Sequence, residues 1–268
     1  MNLGVNVPNF GPGTDPGVLR EWARVVEGLG FDLLMMSDHV VVTPDVAEQY
    51  PEPFYEPFTT LSWLAGLTTR VRLGTTVLVL PYRHPLLVAR MAANLNQLSG
   101  GRLVLGVGVG WARQEFAALG VPFAERGRLT DEYLAALRDA WNAGTGPAAP
   151  LWIGGNSEAG IRRAAEFGDA WHPLRNTMPW LRAAMAEHPR LTAAPRIALR
   201  LTAEPVEDAE RLAGVGSLEQ ILDDLAQLRA LGADTVVLDP FHGDLEEIRR
   251  PHAAWRALTA VATHWRNA

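Results

Sequence analysis

Val71-Arg72-Leu73-Gly74-Thr75-Thr76-Val77-Leu78-Val79-Leu80, then Pro85–Leu98, then Leu103-Val104-Leu105-Gly106-Val107-Gly108-Val109 contain the repeating unit of this chain. The first and last pieces are short apolar runs, rich in β-branched residues, without the polar alternation of a half-exposed strand. They read as strands buried on both faces. The middle piece opens with a proline and carries apolar residues at helical spacing, which reads as an amphipathic helix. A strand, a helix and a second strand imply a parallel crossover. The same unit recurs outward in both directions. Further strands are expected at Leu3–Val7, Leu33–Met36, Leu151–Ile153, Ala170–Pro173, Ile197–Leu201 and Thr235–Leu238. Further helices are expected at Gly17–Leu29, Arg128–Trp141, Ala159–Phe167 and Leu218–Leu231, the last with Leu218, Ile221, Leu222, Leu225 and Leu228 on one face. Eight strands over 268 residues leave about 33 residues per unit, the size of one βα repeat of a (β/α)8 TIM barrel. A doubly wound open sheet is the rival on pattern alone. No linker breaks the series, since Ala143–Pro150 is short enough for an ordinary loop, so residues 1–268 are expected to form one domain.

Composition narrows the chemistry. Net charge is −6, with 24 basic and 30 acidic residues, which argues against a nucleic-acid partner. There is no cysteine, hence no disulfide, thiolate metal site or cysteine nucleophile. Every basic residue is arginine. A GC-rich coding sequence would write arginine for lysine, but Schiff-base chemistry, pyridoxal phosphate and a Walker-type phosphate loop are excluded either way, because each needs a lysine amine. No apolar stretch approaches the roughly 18 residues of a membrane helix, and the chain runs directly into Leu3-Gly4-Val5-Asn6-Val7 without a targeting pattern. A cytoplasmic protein with no membrane partner is expected.

Chemistry should sit where strands end, because a barrel builds its site from the loops at the carboxyl end. Asp38-His39 closes the second strand: His39 can move a proton near neutral pH and Asp38 can orient its neighbours, the structural alternative being a cap and a buried polar contact. Gly106-Val107-Gly108-Val109-Gly110 ends the fourth strand, and its alternate glycines would let a flat ligand approach the backbone or let strands pack tightly. Gly154-Gly155-Asn156-Ser157 leaves the fifth strand and opens a helix whose free amides favour an anion, with Arg162 and Arg163 following; Ser157 would serve equally as a plain N-cap. His172 and Trp171 after strand six, and His242 after strand eight, are placed to face a barrel mouth, while the other histidines read as structural. The loop Val40–Pro57 is proline-rich and aromatic and should lie over the mouth, whereas Thr202–Gly216 is acidic and should be exposed. No His-x-His or His-Glu-x-x-His pattern occurs, so no metal site is expected.

Taken in order, five segments resemble the luciferase-like monooxygenase superfamily of flavin- and deazaflavin-dependent oxidoreductases over nearly the whole chain. They are Gly28-Leu29-Gly30-Phe31-Asp32 leading to Ser37-Asp38-His39; Leu73-Gly74-Thr75-Thr76-Val77 followed by Pro81-Tyr82-Arg83-His84-Pro85; Gly106–Trp111 with Glu115-Phe116; Ile153-Gly154-Gly155-Asn156; and Gly168-Asp169-Ala170-Trp171. The block Gly108–Arg128, with Glu115, Gly120, Pro122 and Arg126, looks like the coenzyme F420-dependent branch. The resemblance implies a barrel holding an isoalloxazine-type ring at its carboxyl end. It implies a non-proline cis peptide bulge in strand three, at Thr76–Val77, pressing on one ring face. Asp38, Thr75, Thr76, Val77, Gly108, Gly110, Gly154, Gly155, Asn156 and Ser157 would bind the cofactor, with Gly154 and Gly155 at the phosphate, and His39 would transfer a proton. It also implies a homodimer. The sequence departs from the sugar-phosphate dehydrogenases of that branch, which carry a glutamate where Trp111 stands and lysines on the substrate phosphate. Glucose-6-phosphate oxidation is therefore not expected.

The reading that follows is hydride transfer between coenzyme F420 and a small organic substrate. An FMN-dependent monooxygenase fed by a separate reductase is the alternative, and a non-catalytic flavin-binding barrel the alternative of another class. Phe54, Tyr55, Trp111 and Trp171 point to an apolar or planar substrate.

Overall fold

The structure is a computed structural model that describes residues 1–241 and 243–265. Eight strands build the barrel: β1 (Asn2–Asn6), β2 (Leu33–Met36), β3 (Arg72–Thr75, resuming at Leu78–Val79), β4 (Leu103–Gly108), β5 (Leu151–Gly154), β6 (Ala170–His172), β7 (Arg196–Ala198) and β8 (Thr235–Asp239). All pair in parallel, in the order β6-β5-β4-β3-β2-β1-β8-β7. The two end strands meet through the segments that flank them. Trp171 N–H donates to Thr192 O, Ala194 N–H to Trp171 O and Arg196 N–H to Pro173 O, each at 2.8 Å. These bonds join the first strand of the series to the last, so the sheet wraps into the expected barrel rather than the open doubly wound alternative.

Side-chain alternation explains why each strand had to be apolar on both faces. In β2, Leu33 and Met35 join Val104, Trp152, Ala170, Ala194 and Val237 in a small cluster inside the barrel, while Leu34 and Met36 join the large cluster under the helices. The helices are α1 (Pro16–Gly28), α2 (Pro44–Ala47), α3 (Pro57–Ala65), α4 (Pro85–Leu98), α5 (Arg113–Ala118), α6 (Arg126–Asn142), α7 (Glu158–Phe167), α8 (Met178–Glu187), α9 (Leu218–Ala230), α10 (Leu245–Arg249) and α11 (His252–Trp265). Their ends follow local chemistry. Asp15 caps α1 by accepting from Val18 N–H at 2.8 Å ahead of Pro16, and Ser217 with Gln220 forms a reciprocal capping box on α9. On α9, Ile221, Leu225 and Leu228 are buried as their spacing requires.

Two departures from regularity shape the mouth. Along β3 and β4 the pairs Leu73–Leu103 and Gly74–Val104 give way to Leu78–Val107 and Val79–Gly108, so residues 75–77 face only residues 105–106. One extra residue is a β-bulge, and the Thr76–Val77 peptide within it is cis. The loop Val40–Pro57 contains α2 and a cis Glu52–Pro53 bond, and Phe54 bridges back to Phe10. The acidic loop after β7 is exposed around Glu204–Glu210, as expected. Beyond that it turns in: Ala213 and Gly214 are buried, and Val215–Gly216 pairs with Arg200–Leu201. An Arg211–Asp224 ion pair at 2.7 Å holds this return, a long-range contact that local composition does not encode.

Candidate functional site

The carboxyl ends of β2 to β6, with Arg196 from the start of β7, surround a cleft of about 280 Å³. Of the residues singled out from sequence, Asp38, His39, Thr76, Val77, Gly108, Gly110, Trp111, Gly154, Gly155 and Asn156 line it. So do Tyr50 and Arg196, which sequence reasoning missed, and His172, which it placed at the mouth.

His39 is the most constrained of these. Its Nδ1 lies 2.6 Å from Oε2 of Glu115, a carboxylate with no exposed surface. Oε1 of the same carboxylate accepts from the amides of Val40 at 2.6 Å and Val41 at 3.1 Å, and Oε2 also accepts from the Tyr82 hydroxyl at 3.0 Å. Burial works against the charge of Glu115, but the hydrogen bond and charge of His39 together with the two amides outweigh it. The carboxyl is held below the usual carboxylate range. Burial and then the Glu115 charge push the Tyr82 phenol up, so it stays a donor. The His39 ring is packed by Tyr50, Phe54 and Trp111, with centroids at 5.2, 5.4 and 5.7 Å. Glu115 was quoted only as part of a family motif. No short-range pattern links it to a histidine 76 positions earlier.

Asp38, beside His39, serves the scaffold. Its two oxygens take a bidentate fork from Arg83, each bond 2.8 Å, and Oδ2 also accepts from Val79 N–H at 2.8 Å. It thereby ties the end of β2 to the second half of β3. The bulge is gripped from the opposite side. Arg196 donates to the Thr76 carbonyl at 2.8 Å, and the Thr76 hydroxyl donates to His172 Nε2 at 2.8 Å while His172 Nδ1 donates to Ala194 O. This arrangement keeps His172 neutral, and burial pushes it down to about 4. Asp239 anchors the group: its Oδ2 accepts from Arg196 and Arg175 and its Oδ1 from Asn6. Burial opposes its charge, yet the two guanidinium groups hold it below the usual range.

The glycine wall has a specific cause. A Cβ at Gly108 would come within 2.6 Å of Val77 Cγ2, and one at Gly154 within 2.8 Å of Val77 Cγ1. The bulge thus pushes the Val77 side chain between β4 and β5, where only glycine leaves room. Gly110 and Gly155 have φ of +78° and +136°, which L side chains rarely adopt.

The other candidate side chains are committed to scaffold contacts or lie outside the cleft. Thr75 is buried with its hydroxyl donating to Gly106 O at 2.6 Å. Ser157 caps α7 by accepting from Gly160 N–H at 3.3 Å. Asn156 spends its amide clasping Leu174, donating to its carbonyl at 2.9 Å and accepting from its N–H at 2.8 Å. Arg163 points away from the cleft and pairs with Asp131 on α6, leaving Arg162 exposed. Trp171 faces outward against Trp180, because the strand alternation that turns His172 inward turns its neighbour out. Phe54 backs His39 from the cluster of Phe10, Tyr50 and Phe241, and Tyr55 packs on the main core. His242 lies outside the described residues. Among the described residues no cluster of His, Cys, Asp and Glu has a metal-binding arrangement, and no helix is long and apolar enough to cross a membrane.

The family model described as luciferase-like monooxygenase matches residues 1–203. The chain belongs to this family. It is 32% identical over 191 residues to a putative coenzyme F420-dependent oxidoreductase of Mycobacterium tuberculosis, a match covering 67% of this chain and 48% of that one. It is 30% identical over 193 residues to the pyrimidine monooxygenase RutA of Rhizobium rhizogenes, covering 62% and 52%. The chain thus spans about half the length of these curated relatives. Luciferase-like folds also appear among solved structures. An F420-dependent secondary alcohol dehydrogenase in complex with an F420-acetone adduct aligns with a TM-score of 0.73 at 17% identity, covering 97% of this chain and 98% of that one. The oxygenating constituent of 3,6-diketocamphane monooxygenase from Pseudomonas putida, in complex with FMN, aligns at 0.74 and 15%, covering 98% and 97%. At such identities the likeness is one of fold.

Proposed function

We propose that this luciferase-like protein is an oxidoreductase that transfers hydride between coenzyme F420 and a small organic substrate. The observation that carries this reading is the cleft itself. A histidine held by a buried carboxylate opens onto walls of glycine backbone, with Val77, Val79, Val109 and Leu174 as apolar surface and Arg196 as a cation. That donor set suits a flat, largely apolar heterocycle with polar edge atoms. Gly108, Gly110, Gly154 and Gly155 would border the ring and its chain, and Val77 would face the ring. A deazaflavin bound there supplies the centre that takes or gives a hydride. The chain supplies the rest: Tyr50 and Trp111 screen the histidine from water, and His39 holds or moves one proton at Nε2. The homodimer implied by the family belongs to the same reading, and light scattering checks it.

The similarity to a pyrimidine monooxygenase supports a second reading, an FMN-dependent monooxygenase supplied by a separate reductase. One experiment divides the two. Oxidised coenzyme F420 that loses its absorbance in the presence of substrate supports the first. Substrate-dependent oxygen consumption with reduced FMN supports the second, and a bound flavin that neither treatment changes points to a non-catalytic barrel.

A further inference from the structure

We propose that Glu115 is a positioning residue that fixes the tautomer of His39, so that the neutral ring presents a bare Nε2, a proton acceptor, to the bound ligand. The inference rests on the reading above, in which His39 handles the proton. Its basis is the donor inventory around one carboxylate. Oε1 is pinned as an acceptor by two backbone amides, Val40 and Val41, whose hydrogens cannot rotate away. Oε2 faces His39 Nδ1 at 2.6 Å and the Tyr82 hydroxyl at 3.0 Å. An ionised carboxylate only accepts, so Nδ1 must carry the hydrogen. A neutral imidazole has one such hydrogen, which leaves the Nε2 lone pair for the cleft. Because Val40 and Val41 directly follow His39, the same carboxylate also fixes where the loop and the ring sit. In this state His39 accepts a proton from a ligand O–H or N–H; it can donate only after it has been charged.

Glu115→Gln tests the claim with little change of shape. The Val40 and Val41 amides still require an oxygen at Oε1, so the new NH2 group must replace Oε2. The Tyr82 hydroxyl can turn and accept from it. His39 cannot turn: Nδ1 must become the acceptor and the hydrogen moves to Nε2, reversing the polarity presented to the cleft. The expected result is read from ¹⁵N spectra of the protein without any coenzyme, at a pH where the imidazole is neutral, with the His39 signal identified by its loss in His39→Gln. The wild type should show a protonated Nδ1 and a bare Nε2, Glu115→Gln the opposite, and Tyr82→Phe the wild-type pattern. Turnover that depends on base catalysis should fall at least about 100-fold in Glu115→Gln while coenzyme affinity stays the same. A wild-type His39 carrying its hydrogen on Nε2, or a folded Glu115→Gln with an unchanged tautomer, overturns the proposal. If Glu115→Gln does not fold, the wild-type spectrum decides alone. Spectra as expected in a protein that binds neither coenzyme contradict the proposed function and leave the tautomer control standing.

Discussion

At His39, what matters is which atoms are already occupied. The ring is wedged among three aromatic side chains and bonded at one nitrogen, so replacing it should remove a proton carrier without emptying the site of its other contacts. His39→Ala is expected to lose about 10²- to 10⁴-fold in kcat and to retain coenzyme affinity, measured by steady-state kinetics alongside a fluorescence titration. Arg83 acts differently. Removing it in Arg83→Met leaves Asp38 as a buried carboxylate with only an amide for company, which should cost roughly 3–5 kcal/mol, read as a lowered urea midpoint. His39 and Asp38 were visible in the sequence because they close a strand. Their partners Glu115 and Arg83 were not visible as functional side chains, because charge pairing across 45 to 76 positions leaves no local pattern.

Among the elements, all eight strands were legible, since burial on both faces leaves an unbroken apolar run. The main helices were too, through periodicity and caps. Helices α3 and α8 are less legible: α3 hides behind a proline-rich loop, and the stripe of α8 is diluted by alanine. The glycines of β4 admit two readings from sequence, room for a ligand or tight strand packing, and Val77 packs directly beside Gly108 and Gly154. This assignment can be checked by a pair of substitutions. Gly108→Ala puts a methyl group 2.6 Å from Val77 Cγ2 and should cost about 1–3 kcal/mol. Trimming the neighbour in a Val77→Ala/Gly108→Ala double variant should recover most of that loss, giving a coupling energy of opposite sign. Additive losses in chemical denaturation would show that Val77 is not the reason for glycine there.

Across the whole molecule, the barrel closes through Trp171–Arg175 against Thr192–Arg196, and buried polar groups span that seam. His172 is the one with a distinct acid signature. Burial holds it to about 4, whereas an unfolded histidine titrates near 6.5. Between those values the unfolded chain binds a proton that the folded chain refuses. Stability should therefore be complete above about pH 6.5 and fall as pH drops towards 4, by at most about 3 kcal/mol. Denaturation midpoints across that range should be flatter for His172→Gln than for the wild type, and parallel curves would contradict the assignment. The Glu115 and Asp239 carboxyls, both held low, add losses that begin as pH falls through the ordinary carboxylate range of about 4 and continue below it. The most direct measurement of all is a fluorescence titration of purified protein with oxidised coenzyme F420 and with FMN, repeated on Val109→Trp, which fills the cleft from its wall. Saturable binding of one coenzyme per chain, weakened at least tenfold by Val109→Trp, is the expected result; binding of neither coenzyme, or binding that ignores the added indole, would contradict it.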